Sequence, residues 1–155
     1  MTPRRSIALL ACITLVACKE AKVHRPAGAP RSTLAFCIAN ESPAFPGQTP
    51  VVVPTNKMTL YLAPAAVVTN ADIRAVELAE NQYGSTVIDI TISPEAARRM
   101  HDVTSESIGK HMAILIDGKV VMTPRITSVI DDRVRIEAGY THAQAAAIAE
   151  RLAPE

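Results

Sequence analysis

The chain has no tryptophan, two phenylalanines and three tyrosines. So sparse an aromatic set leaves no platform on which nucleic-acid bases could stack, and no basic cluster takes its place. Glycine is scarce as well: six residues, none clustered, which excludes a phosphate-cradling loop. No Gly-x-Ser-x-Gly elbow occurs, and no nucleophile stands beside an evident base. The histidines His24, His101, His111 and His142 lack metal-ligand spacing, and Cys37 has no cysteine partner nearby. Each histidine reads as a surface or helix-end residue. Asp131 and Asp132 form an adjacent carboxylate pair, but in an expected turn, without the burial that acid–base work requires. The residues therefore predict a non-catalytic protein with no cofactor and no metal site.

Apolar runs long enough to cross a bilayer, about 20 residues, are missing too. The longest, Ile7 to Ala17, follows Arg4 and Arg5 and has the length of an export signal core. It ends in Leu15-Val16-Ala17-Cys18, which looks like a bacterial lipobox. That chemistry needs a small residue before the cleaved bond and a thiol after it, because the sulfur receives the diacylglyceryl group. The expectation is a lipoprotein signal peptide over residues 1–17, with Cys18 as the lipidation site. The membrane would then be reached through acyl chains alone, each buried CH₂ contributing about 0.8 kcal/mol. Lys19 directly after the cysteine resembles outer-membrane sorting where two membranes exist, with the protein facing the periplasm.

Cysteine and net charge are limited in the same way. Of three cysteines, Cys12 leaves with the leader and Cys18 carries lipid, so only Cys37 remains and no intramolecular disulfide can form. Within the apolar stretch LAFCIA, Cys37 reads as a small buried hydrophobe. Loss of Arg4 and Arg5 leaves 14 basic against 15 acidic side chains, a near-neutral chain with no attraction for polyanions.

What is present begins with a polar stretch. Residues 18–32, with Pro26, Gly28 and Pro30, read as a flexible tether. Residues 33–155, about 120 positions, suffice for one core. Within them, residues 58–63, 87–92 and 133–138 alternate apolar and polar side chains, the pattern of half-covered antiparallel strands. Residues 34–39 form a further strand. Two apolar runs flank Asp117-Gly118, whose tolerance of positive φ marks a tight hairpin. Capping signals at Thr69, Ser93 and Thr141 predict three helices, the first carrying Ile73, Val76 and Ala79 and ending at Gly84. The fold class is α+β: a mainly antiparallel sheet of about five or six strands with about three helices packed on one face. Four prolines in residues 41–54 predict irregular structure there.

The stretch SIGKHMAILIDGKVVMTPRI and the later EAGYTHAQAAAIAERL resemble the head subdomain of the first periplasmic domain of SecD. The resemblance rests on Gly109, Lys110, Ala113, Asp117, Gly118, Lys119, Pro124, Gly139, Tyr140, Thr141 and Ala145, and extends over about residues 34–152. Asp131-Asp132 departs from that pattern, where glycines are common. SecD proteins assist protein export, and their head is thought to engage the emerging polypeptide. What the resemblance implies here is a lipid-anchored extracytoplasmic module that binds polypeptide or an envelope protein in or near export. A structural or regulatory lipoprotein docking onto one envelope partner is the other reading. The family-motif positions Gly109, Lys110, Asp117, Gly118, Pro124 and Gly139 are expected to be structural. Phe45, Val52 and Tyr61 are the candidate partner contacts: the first two in a proline-rich loop that either forms a sticky lip beside the sheet or folds back as a lid over the core, the third on an alternative surface, a wet sheet face with Asp89 and Arg135. The sequence assigns no oligomeric state.

Overall fold

The computed structural model describes residues 21–44 and 46–155. The expected leader, the lipidation site Cys18 and the expected contact Phe45 lie outside the described residues.

Ten strands and two α-helices follow in chain order: β1 (Ala21–Val23), β2 (Leu34–Asn40), β3 (Thr49–Val52), β4 (Thr59–Leu62), β5 (Val68–Thr69), β6 (Ile73–Glu80), β7 (Thr86–Ile92), α1 (Pro94–Ser105), β8 (His111–Ile116), β9 (Lys119–Met122), β10 (Arg133–Ile136) and α2 (His142–Leu152). A 3₁₀ turn, Asn70–Asp72, precedes β6. The strands form two antiparallel sheets instead of the expected one. The first has the order β1-β6-β7-β10 and the second β3-β4-β2-β8-β9, with β5 also pairing with β2. Alternation along each strand explains the split. Val76, Ile88, Ile90 and Ile136 of the first sheet meet Phe36, Met112 and Ile114 of the second in one core, which Met100 of α1 and Leu152 of α2 also enter. On its other face the second sheet buries Cys37, Ala39, Leu60, Leu62, Val53 and Ala113 together. Leu60 and Leu62 of the β3–β4 hairpin and Val53 just after β3 build this second cluster together with β2 and β8.

The helix expected over Ile73 to Gly84 is strand β6, so the described residues hold two α-helices and not three. The reason is a bulge. Ile73 pairs with Ile92 and Ala75 with Thr91, which leaves Arg74 as an extra residue. Ile73 thereby returns to the same face as Val76, so a strand acquires the three-residue apolar spacing of a helix. The other two helices begin where their caps place them. Ser93 Oγ accepts from the Ala96 N–H at 3.2 Å with Pro94 at the first helical position. Thr141 Oγ1 accepts from the Gln144 N–H, and Gln144 Oε1 from the Thr141 N–H at 2.9 Å.

Two segments read as irregular contribute strands. Residues 21–23 of the expected tether are β1, paired along β6. Further on, the Arg25 guanidinium bonds the Ala29 carbonyl and the Glu155 carboxylate, and the Ser32 N–H donates to the Arg151 carbonyl. In the proline-rich stretch, β3 pairs with β4 despite Pro50. It lies at the edge of its sheet, where a missing N–H breaks no ladder. No helix among the described residues is long and apolar enough to cross a membrane.

Candidate binding site

The β8–β9 hairpin is the framework of the site. Its turn residues take φ of 50° at Asp117 and 73° at Gly118, the left-handed pair that a two-residue connection requires. Asp117 does more than reverse the chain. Its carboxylate accepts from the Thr33 N–H at 2.9 Å and from the Ser32 hydroxyl at 3.0 Å, and its own N–H donates to the Thr33 carbonyl. The Thr33 amide first, then the Ser32 hydroxyl, hold its carboxyl below the usual aspartate range. The turn therefore holds the chain entering β2.

At the other end of the hairpin, Gly109 has φ of 87°, donates to the Ile126 carbonyl and presents its own carbonyl to Arg125 Nη1. Lys110 bonds through its backbone, its N–H to Ser107 and its carbonyl to the Ile126 N–H. The Pro124 carbonyl accepts from the Met112 N–H, carrying the pairing past β9. Gly139, with φ of 69°, lies between β10 and α2. Here His111 differs from its reading as a surface residue: it is buried in β8, its ring bridging the Thr123 carbonyl and Glu41. Arg125 Nη2 reaches the same Glu41 oxygen at 3.0 Å. The His111 hydrogen bond, then the Arg125 charge, draw the Glu41 carboxyl below its ordinary value. This cluster fastens the start of the proline-rich loop to the hairpin.

The second sheet ends at β9, which pairs with β8 alone among the described strands. Beside that edge lies a groove of about 250 Å³, lined by Val120, Val121, Met122 and Thr123, by residues 53–55, and by Glu137 and Ala138 just after β10. The Glu137 N–H donates to Met122 Sδ at 3.1 Å and draws the two sheet edges together. Val121 is an extra residue, since Ile114 pairs with Met122 and Leu115 with Val120. The lining mixes apolar side chains with Thr55, Thr123 and the Glu137 carboxylate, in nearly equal polar and apolar measure.

The expected partner contacts are not brought together as a single face. Val52 is exposed on β3, next to Val53, which lines the groove. Tyr61 is half-buried on β4 of the second sheet, whereas Asp89 and Arg135 belong to the first. Nor is Asp89 wet: it is 3% exposed, and Arg135 Nε and Nη2 each bond one of its oxygens at 2.7 Å. Cys37 is buried, and desolvation pushes its thiol up, away from reactivity. The groove itself was not read from the sequence. The apolar run after Gly118 is visible there, but whether a strand ends at a sheet edge is set by which partners are absent.

Residues 48–153 match the model of the family described as SecDF, P1 head subdomain. The protein translocase subunit SecD of Aquifex aeolicus (strain VF5) is 33% identical over 81 residues, 52% of this chain and 16% of that protein. The protein translocase subunit SecDF of Thermus thermophilus is 36% identical over 62 residues, 40% of this chain and 8% of that protein. The chain thus spans a small part of the length of these curated relatives. A solved structure described as that of a membrane component SecDF that enhances protein export has a TM-score of 0.63 at 24% identity, covering 79% of this chain and 62% of that one. That likeness is one of fold.

Proposed function

The chain belongs to the SecDF P1 head subdomain family, and from that premise we propose that it is a non-catalytic, extracytoplasmic binding module that engages polypeptide in or near protein export. It is held to a bacterial membrane by acyl groups on Cys18, on the strength of the Leu15-Val16-Ala17-Cys18 sequence. The observation that carries the binding reading is the groove along the open edge of β9. An extended polypeptide adds to such an edge through main-chain hydrogen bonds, while Val120, Val121 and Met122 accept apolar side chains without regard to sequence. The bulge at Val121 interrupts the edge, so pairing is short and engagement brief. Transience of that kind suits a protein that meets many chains in passing.

The test is photo-crosslinking in intact cells, with a photoreactive residue at Val121 and a control at exposed Arg98 of α1. Capture of many secreted chains at Val121 but not at Arg98 is the expected result. One dominant envelope protein would instead establish a dedicated docking lipoprotein and overturn the export reading.

A further inference from the structure

The β6–β7 turn holds an aromatic side chain out into solvent. Tyr83 is 81% exposed, the most exposed large hydrophobic side chain among the described residues. The turn that carries it is well bonded. Asn81 Oδ1 accepts from the N–H groups of Tyr83 at 3.0 Å and Ser85 at 2.9 Å, the Asn81 N–H donates to the Ser85 carbonyl, and the Gly84 N–H to the Asn81 carbonyl. Gly84 takes φ of 75° to close it. In a chain with three tyrosines and no tryptophan, one of the few aromatic rings is thus displayed on an ordered tip and contributes nothing to the core.

The path of the chain says what this tip faces. β1 is antiparallel to β6, with Ala21 opposite Leu78 and Val23 opposite Val76, so the chain enters β1 from the Glu80 side, where the Tyr83 turn lies. From Cys18 to Ala21 is three peptide steps, a reach of at most about 10 Å. An acyl group on Cys18 therefore cannot sit far from the β6–β7 end of the first sheet. The expected flexible tether would have let the domain tumble above the membrane; a strand begun three residues after the lipid does not.

We infer that the β6–β7 end of the first sheet rests on the lipid surface, with Tyr83 at headgroup level beside the acylated Cys18. This rests on the lipid-anchor reading of Cys18. Tyrosine suits the position, since its ring enters the acyl boundary while its hydroxyl stays wet. Charge does not drive the contact: Glu80 flanks the turn on one side, Lys22 lies on β1, and the neighbouring Thr86 hydroxyl meets His142 Nδ1 at 3.3 Å. Docking is thus expected on zwitterionic lipid and needs no anionic one. It also brings the groove toward the membrane, because Glu137 and Ala138 follow Ile136, which pairs with Ile88 near the same end.

The absence of tryptophan supplies the test. The full-length protein carrying Tyr83→Trp is purified from membranes, the modification of Cys18 is read by mass spectrometry, and the protein is reconstituted into phosphatidylcholine vesicles with brominated acyl chains. The control is Val129→Trp, in the loop whose Asp132 carbonyl bonds the Ile92 N–H at the opposite end of β7. The expected result is a blue shift and loss of most emission for Tyr83→Trp, with Val129→Trp unaffected. If Cys18 is acylated and the protein floats with the vesicles, but Tyr83→Trp keeps its emission or Val129→Trp is quenched equally, the docking is overturned and the anchor stands. An unmodified Cys18 overturns the anchor reading, and the docking falls with it.

Discussion

Asp117 and Thr33 bond reciprocally across 84 positions of sequence: the Thr33 N–H donates to the Asp117 carboxylate and the Asp117 N–H to the Thr33 carbonyl, each at 2.9 Å. The carboxyl is held below its ordinary value, so its stabilising contribution is complete above the unfolded aspartate range. It is lost as pH falls through the lower folded value. Asp117→Asn keeps a side chain that tolerates positive φ but removes the charge. The variant is expected to have a lower Tm at neutral pH and a shallower loss of Tm on acidification than the parent, measured by thermal melts across the acid range.

The Asp89–Arg135 pair is asymmetric, and its variants should be too. Asp89 is 3% exposed on its side chain, whereas Arg135 is 45% exposed. Removing the arginine strands a carboxylate in the interior, whereas removing the aspartate leaves a guanidinium that is already half in water. Arg135→Ala is expected to cost about 3 kcal/mol and Asp89→Ala about 1–2 kcal/mol, read by urea unfolding. An equal cost for the two would contradict this account.

Glu41 joins His111 and Arg125 to the entry of the proline-rich loop. Its carboxyl, like that of Asp117, is depressed in the folded protein, so the fastening is complete at neutral pH and released on acidification through the folded value. Glu41→Gln should accelerate amide hydrogen exchange in residues 42–48 at neutral pH while exchange in α1 is unchanged.

Helix packing and helix capping should separate cleanly in size. Met100 is fully buried in the shared core, so Met100→Ala is expected to cost about 3 kcal/mol. Thr141 supplies the α2 cap from an exposed position, and Thr141→Ala should cost about 1 kcal/mol. Denaturant melts of the two variants give both values.

The amino-acid sequence by itself determined what is local. Torsions at Asp117-Gly118 specify a hairpin, alternation specifies β4, β7 and β10, and the Ser93 and Thr141 caps start the two helices, because each signal spans only a few residues. The likeness to SecD was legible for the same reason, being carried by turn glycines and the hairpin between them. Tertiary structure alone decided the rest. The spacing of Ile73 and Val76 reads as helical until Ile92 and Thr91 are paired opposite and Arg74 is seen to bulge. That His111 is interior, that Asp89 is clamped by Arg135, and that Tyr61 lies in a different sheet from Asp89 and Arg135 depend on neighbours dozens of positions away. The groove depends on β9 having no second partner among the described strands, and no stretch of residues encodes what fails to pair beside it. Local steric preference is written residue by residue, whereas burial and edges arise only when distant segments meet.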